Sequence, residues 1–335
     1  MTRAHGLHTH LLTRNDYQAM LKGRDTKSVS DYLMRGDYGP LLEGAPAEYP
    51  SALHLAKVFR SLLVSRCYRL VGIAPENCRV FLEAYLERFL VEDMKRILRA
   101  KHAGRVTDKG SLIPIPKGYE RVNLQAMADA ASFQEAVGTL AKTRFRGVVD
   151  AVSVYEKYHF ISIVEAFLDK AYFDIEVRPA LGGLPGRPAI GEMIGTEEDL
   201  LNVKMLTDLR ARKVSVDAVR ALSFKPANLT RGELAAISGA TPEAIPQMVA
   251  KTRYSSLAQP LQDALESGKD ESLDRVVRLE IHRRTKSVIV RCADTFAYVL
   301  AYFREAETES NNLVSLVTGK EVGLAEQRIQ AAICT

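Results

Sequence analysis

Apolar residues recur along this chain at the three- and four-residue spacing of amphipathic helices, and the two-residue alternation of half-buried strands is scarce. One long stripe consists of Leu55, Phe59, Leu62, Leu63, Cys67 and Leu70. A second stripe consists of Ile289, Cys292, Ala293, Phe296, Leu300 and Phe303. Each stripe predicts one long helix with a buried face, and the chain as a whole is predicted to be all-α.

A short capped helix is predicted three times. The segment KTRF at 142–145 recurs as KTRY at 251–254, and a weaker copy, RGDY, lies at 35–38. Ten residues before each segment stands a residue suited to cap a helix, with apolar residues four and eight positions later. The capping residues are Asp25, Ser132 and Thr241, and the apolar residues are Val29, Leu33, Ala136, Leu140, Ile245 and Val249. Pro246 lacks a backbone donor and predicts a local bend in the third helix.

A second landmark repeats in phase with the first, 109 and 110 residues apart. It consists of the pairs Asp93-Met94, Asn202-Val203 and Asn312-Leu313. Apolar residues and then basic residues follow each pair, and in two copies a glycine comes next, Gly104 or Gly323. Cations complement the negative end of a helix dipole and glycine commonly ends a helix, so each copy predicts an amphipathic helix and its stop. When the three copies are aligned on these pairs, the middle copy needs two extra residues before its basic residues.

Two landmarks at one period predict that a helical unit of about 110 residues is present three times. We therefore expect an all-α fold of three homologous helical-bundle domains. Their predicted boundaries are 1–113, 114–222 and 223–335.

Composition narrows the function. The net charge of +5, from 46 basic and 41 acidic residues, is too balanced to indicate a nucleic-acid-binding protein, and Trp is absent. The four cysteines, Cys67, Cys78, Cys292 and Cys334, match no zinc-site spacing and are expected to be free thiols. No signal peptide and no apolar run long enough to cross a membrane is apparent, which predicts a cytoplasmic protein that does not insert in the bilayer.

Candidate chemistry is sparse. His5, His8 and His10 could be metal ligands, but no further His, Asp or Cys cluster supports them, and a solvated terminus is the favoured interpretation. Glu305, Glu307 and Glu309 are interpreted as the solvated start of a helix. We predict no catalytic residue, no metal site and no cofactor.

Two alternatives from other classes remain open. Residues 229–253 resemble a helix-turn-helix, with Lys251 and Arg253 placed to contact phosphates, which would suit a DNA-binding regulator. Against it, this segment has counterparts in the other two repeats and contains Pro246. The other alternative is a helical-repeat scaffold protein.

With these residues in view, the chain resembles the C subunit of archaeal and bacterial A/V-type ATP synthases, which is equivalent to the d subunit of eukaryotic V-ATPases. The similar features are Asn312-Leu313 followed by Gly319-Lys320 and Gly323-Leu324, Asn202-Val203-Lys204, the run LDKAYF at 168–173, and Leu112-Ile113-Pro114. The resemblance covers nearly the whole chain. Asp93 departs from it, because the family often has asparagine there, and so does the longer spacing in the middle repeat.

The resemblance implies a non-catalytic rotor subunit. Its three helical domains would form a funnel about a pseudo-threefold axis, a socket that receives the central stalk and rests on the membrane proteolipid ring. Torque would pass through it between ring and stalk. The protein would be peripheral, on the cytoplasmic face, associated with the membrane through the ring and not by insertion, and would bind no nucleic acid.

The basic residues at the ends of the repeated helices have two interpretations. Lys101, Arg210, Arg212 and Lys320 could compensate helix dipoles. Under the family resemblance, some of them could instead contact the stalk or the polar loops of the ring. These four are the candidate interface residues.

Overall fold

The computed structural model describes residues 2–43, 50–267 and 270–334, and all regular secondary structure in these ranges is helical. The α-helices are α1 (Thr2–His8), α2 (Arg14–Lys22), α3 (Thr26–Leu33), α4 (Gly39–Leu42), α5 (Ala52–Val71), α6 (Glu76–Leu86), α7 (Arg88–His102), α8 (Leu124–Asp129), α9 (Phe133–Gly138), α10 (Ala151–Tyr158), α11 (Ile161–Ala171), α12 (Arg178–Ala180), α13 (Arg187–Ala211), α14 (Val216–Leu222), α15 (Arg231–Gly239), α16 (Ile245–Val249), α17 (Ala258–Ser267), α18 (Asp270–Arg291), α19 (Ala297–Glu321) and α20 (Glu326–Ala332). Short 3-10 turns span Lys109–Ser111, Thr139–Lys142, Arg146–Asp150, Pro242–Ala244 and Ser255–Leu257, and Tyr172–Val177 is a π-helical turn. The all-α prediction is confirmed.

The chain forms two compact units. Unit 1 consists of residues 1–83, 108–117 and 285–335, and unit 2 consists of residues 84–107 and 118–284. In unit 1, α19 packs on α5 and α20, and Phe59, Leu313 and Leu316 lie in its core. In unit 2, α11 packs on α7 and α13. The division into three homologous domains stays a prediction.

The two apolar stripes differ in outcome. The first lies within α5, as predicted. The second is predicted to form one helix, but α18 ends at Arg291 and α19 begins at Ala297. The backbone carbonyl of Cys292 accepts hydrogen bonds from both the N–H and the hydroxyl of Thr295, at 3.0 and 3.1 Å, which closes a turn between the two helices.

Two of the three predicted caps form. The Asp25 carboxylate accepts the N–H of Ser28 at 2.9 Å, and the Ser132 hydroxyl accepts that of Glu135 at 3.1 Å. Thr241 makes no such bond, so that prediction is wrong. A 3-10 turn over Pro242–Ala244 leads into α16 instead, and Pro246 lies in the first turn of α16, where the missing N–H is not needed.

The long helices α7, α13 and α19 end in the same way. Each is followed by one residue in the left-handed conformation, at Gly104 (φ 64°), Lys213 (φ 62°) and Gly323 (φ 70°). The next N–H in each copy returns to a carbonyl five residues earlier, at 2.8 to 3.0 Å. The three residues are 109 and 110 positions apart, so the two-residue insertion inferred for the middle copy is wrong, and Lys101, Arg210 and Lys320 are equivalent positions.

Two asparagines of the second landmark each bind the backbone N–H and carbonyl of a single residue. The Asn202 amide donates to the carbonyl of Phe224 at 3.0 Å and accepts the N–H of Phe224 at 3.1 Å. The Asn312 amide makes the same two bonds with Cys334, at 2.6 and 2.8 Å. In both copies the partner is 22 residues further along the chain. Asp93 differs, because its carboxylate binds Arg96 at 2.8 Å.

Candidate interface residues and the buried acid sites

The candidate interface residues of unit 2 include two cations that bind backbone carbonyls. The Lys101 ammonium donates to the carbonyl of Ala130. The Arg210 guanidinium donates to the carbonyls of Val214, at 2.8 Å, and Ala240, at 3.4 Å. These bonds join the C-terminal end of a long helix to the segment that precedes a short helix of the next predicted repeat.

Lys320 does the same in unit 1. Its ammonium donates to the carbonyls of Leu21, at 3.0 Å, and Gly23, two residues before the cap of α3. Partial burial lowers the pKa of Lys320. The acceptor therefore belongs to the first predicted repeat, although Lys320 belongs to the third.

Arg212 is in a different position. It pairs with Asp208 at 2.7 Å, and its guanidinium lies 5.2 Å from the centre of the Phe160 ring, while its side chain remains exposed. Of the four candidate interface residues, Arg212 is exposed and the other three are partly buried. The interface role of all four residues stays a prediction.

Replacing Lys320 with methionine is expected to lower the free energy of unfolding by about 1–2 kcal/mol, since two carbonyl groups lose a charged donor. The control is Arg212→Met, for which we expect a change below about 0.5 kcal/mol, because an exposed pair contributes little. Urea unfolding followed by circular dichroism measures both values. Equal midpoints for the two variants would contradict the structural role assigned to Lys320.

Glu309 of α19 is the centre of a buried polar cluster in unit 1. Its carboxylate accepts hydrogen bonds from the Arg66 guanidinium at 2.8 Å, the Tyr38 hydroxyl at 2.8 Å and the Leu12 N–H at 2.5 Å. Only 4% of Glu309 and 2% of Arg66 is exposed. The prediction that Glu309 lies at a solvated helix start is therefore wrong.

Arg66 is the cation of this cluster and is paired with two carboxylates. Burial acts to lower the pKa of Arg66, but the charge and hydrogen bond of Glu309, together with Tyr38 and the hydrogen bond of Asp37, raise it by more, so the guanidinium stays charged. Arg66 also pairs with Asp37 at 3.0 Å. Burial, together with the charge of Glu309, raises the pKa of Tyr38 well above its ordinary value, which keeps its hydroxyl protonated as a donor.

Asp199 of α13 forms the matching site in unit 2. This fully buried carboxylate accepts the N–H groups of Ala227, Asn228 and Leu229 at 2.8 to 3.0 Å and the Tyr254 hydroxyl at 3.0 Å. Burial raises the pKa of Asp199, and its hydrogen-bond donors oppose that shift. Burial and the adjacent carboxylate also raise the pKa of Tyr254.

The third equivalent site is apolar. Leu90 of α7 stands where the other long helices carry Asp199 and Glu309, three residues before the landmark pair. Phe145 takes the place of the two tyrosines, and both Leu90 and Phe145 are buried. The acid and its tyrosine thus occur together or are replaced together.

These contacts define three junctions, each between a long helix and the beginning of the next predicted repeat. Lys101–Ala130 belongs to the first junction, and Arg210–Ala240 and Asp199–Tyr254 belong to the second. Lys320–Gly23 and Glu309–Tyr38 belong to the third, which runs from the last repeat back to the first. The order of the contacts is therefore cyclic.

The prediction of a solvated N-terminal tail is wrong for His5 and His8, whereas His10 is exposed. Residues 2–8 form α1, where His5 binds the Ala293 carbonyl at 3.0 Å and stacks on Tyr298. Within the described ranges, no three His, Cys, Asp or Glu side chains are arranged to hold a metal ion. His5 and His8 instead join α1 to the rest of unit 1.

The segment that resembles a helix-turn-helix in sequence lacks a recognition helix. Its second helix, α16, has five residues and is preceded by a 3-10 turn. Arg253 is paired with Glu192 at 3.4 Å. The segment instead supplies the Leu229 N–H to the Asp199 site, and Tyr254, the residue directly after it, supplies a hydroxyl.

None of the helices described here combines the length and the apolar composition needed to cross a bilayer.

Comparison with known proteins identifies the class. The chain belongs to the ATP synthase (C/AC39) subunit family, whose sequence profile matches residues 1–332. It is 24% identical to the C subunit of the A-type ATP synthase of Methanothermobacter thermautotrophicus over 338 residues, which cover 96% of this chain and 83% of that protein. The corresponding protein of Pyrococcus furiosus is 22% identical over 313 residues, 90% of this chain and 80% of the relative. For that of Haloferax volcanii the identity is 24% over 297 residues, with 85% and 80% covered. Family membership removes the alternative of a scaffold unrelated to rotary ATPases.

Proposed function

We propose that this chain is the non-catalytic rotor subunit of a V/A-type rotary ATP synthase or ATPase. It connects the central stalk to the membrane proteolipid ring and transmits torque between them. The observation that carries the proposal is the family match over residues 1–332. In this role the protein is peripheral, on the cytoplasmic face of the membrane, and associates with the bilayer through the ring.

The cyclic order of the junctions supports a mechanical role. A part that transmits torque must resist being unwound, and a chain whose last repeat is bonded to its first has no free end repeat. Close-packed helices also deform little under load. We propose accordingly that the chain is built as three homologous domains, 1–113, 114–222 and 223–335, in a pseudo-threefold arrangement.

Among the candidate interface residues, Arg212 is the best placed to meet a partner. Its side chain is exposed, and its pair with Asp208 lies at the end of one helix. The other three candidates are less accessible to a partner. Each is partly buried and binds a carbonyl group of its own unit: Lys101, Arg210 and Lys320.

Co-purification tests the proposal. The tagged full chain is co-expressed with the central-stalk and proteolipid subunits of the same organism, and we expect it to retain both. Arg212→Glu is expected to weaken retention of one partner about tenfold, with the helical content unchanged. Arg79→Glu is the matched control, because Arg79 is also exposed and paired within its helix, with Glu76.

If the native chain fails to retain one or both of these partners, the rotor role is refuted. Equal losses for Arg212→Glu and Arg79→Glu would refute the interface assignment alone. ATP hydrolysis by the purified chain above that of a blank preparation would refute the non-catalytic assignment.

A further inference from the structure

The N-terminal segment, defined as residues 2–12, packs on α19 and α5 of unit 1. Its last residue donates its N–H to the buried Glu309 at 2.5 Å, and the carbonyl of His10 lies 3.5 Å from the Arg66 guanidinium. The segment is therefore continuous with the third junction, the one between the last and first predicted repeats.

Two histidines fasten this segment to a single tyrosine. His5 stacks on Tyr298, with ring centres 4.0 Å apart, while His8 Nδ1 lies 2.9 Å from the Tyr298 hydroxyl. His8 also meets the edge of the buried Tyr302 ring. Both imidazoles thus contact Tyr298 of α19 and are withdrawn in part from water.

The charged groups around His8 oppose one another. Glu305 of α19 favours its protonation, whereas His5 disfavours a second charge nearby. Burial raises the pKa of the adjacent Tyr302. Of the groups on α5, Arg66 lowers that pKa and Cys67 raises it. Burial is the largest influence and prevails, so the pKa of His8 lies below its ordinary value of 6.5.

We infer that the N-terminal segment is an acid-released cover of α19. When His8 is neutral, Nδ1 can accept the Tyr298 hydroxyl and the segment stays packed. When His8 gains a proton, Nδ1 changes from acceptor to donor toward the Tyr298 oxygen, and a cation faces His5 in a partly buried place. The segment then detaches, exposing Tyr298 and Tyr302 and withdrawing the Leu12 donor from Glu309.

Protonation of His8 is linked to the opening of the N-terminal segment, and this linkage sets the direction and size of the pH dependence. Because the folded pKa of His8 is lowered, its contribution to packing is present above pH 6.5 and is lost as the pH falls below that value. Between pH 7.5 and pH 5.5, protonation of a released histidine of pKa 6.5 shifts the opening equilibrium by at most about tenfold.

Hydrogen exchange of the full chain tests this inference, with exposure times corrected for the intrinsic effect of pH. We expect amides of residues 4–12 to lose protection up to about tenfold at pH 5.5 relative to core amides at 313–317. His8→Gln, which cannot titrate but keeps an acceptor, is expected to change less than about twofold. His10→Gln is the matched control and should respond like the native chain, because His10 is exposed and faces Asp37.

The inference would be overturned if the amides of residues 4–12 in the native chain kept their protection at pH 5.5. It would also be overturned if His8→Gln lost as much protection as the native chain is expected to lose. Equal loss of protection in residues 4–12 and in the core would also overturn it, because it would indicate general acid unfolding. These outcomes do not depend on the rotary function.

Discussion

Replacing Glu309 with leucine is expected to lower the free energy of unfolding by about 3–5 kcal/mol, because it leaves the buried Arg66 guanidinium without its main counter-charge. The Tyr38 hydroxyl and the Leu12 N–H lose their acceptor at the same time. The remaining pair between Arg66 and the partly exposed Asp37 compensates only in part. Urea unfolding at neutral pH, followed by circular dichroism, measures the loss.

The apolar junction provides the control for this experiment. The triple variant Glu309→Leu, Arg66→Met, Tyr38→Phe resembles the Leu90 and Phe145 arrangement and removes the buried pair of Arg66 and Glu309 together. It should recover most of the stability lost by Glu309→Leu, since well-packed apolar residues often replace a buried ion pair at little cost. If the single variant unfolds within about 1 kcal/mol of the native chain, Glu309 does not secure the third junction.

The features that can be predicted from the sequence are those determined within one or two helical turns. The caps at Asp25 and Ser132 and the stops at Gly104 and Gly323 depend on neighbouring residues alone, and they form as predicted. The family resemblance uses the same local landmarks in their order along the chain, and the profile match supports it.

Aligning the three repeats by their basic residues gives the wrong register, because the positions at which the long helices end are set by the backbone conformation. This alignment pairs Arg212 with Lys101 because both are basic, which requires two extra residues in the middle repeat. The structure stops all three long helices at the same register, and in the middle copy a non-glycine residue, Lys213, takes the left-handed conformation. Because the pattern leads us to expect glycine there, it shifts the register.

Contacts across the chain cannot be predicted from local pattern. Glu309 stands near two other glutamates in a polar stretch, which favours a solvated position, while its partner Tyr38 lies 271 residues away. The repeats do contain a signal that pattern reasoning missed. An acid three residues before the landmark asparagine accompanies a tyrosine at 38 or 254, and Leu90 accompanies Phe145.

Replacing Asp199 with leucine is the equivalent experiment in unit 2, and it is expected to cost about 3–5 kcal/mol without removing any buried ion pair. Three backbone N–H groups, those of Ala227, Asn228 and Leu229, would lose their acceptor, and so would the Tyr254 hydroxyl. Urea unfolding measures the total, and hydrogen exchange at residues 227–229 shows whether the loss begins at the junction.

Asp199→Asn separates hydrogen bonding from charge. Oδ2 accepts three of the four bonds and Oδ1 accepts only that of Ala227, so an asparagine with its carbonyl at the Oδ2 position keeps most acceptors. We expect a loss of about 1–2 kcal/mol for this variant, well below that of Asp199→Leu. If Asp199→Asn is as unstable as Asp199→Leu, the negative charge itself secures the second junction. If both variants match the native chain, the junction is maintained by apolar packing, as at Leu90 and Phe145.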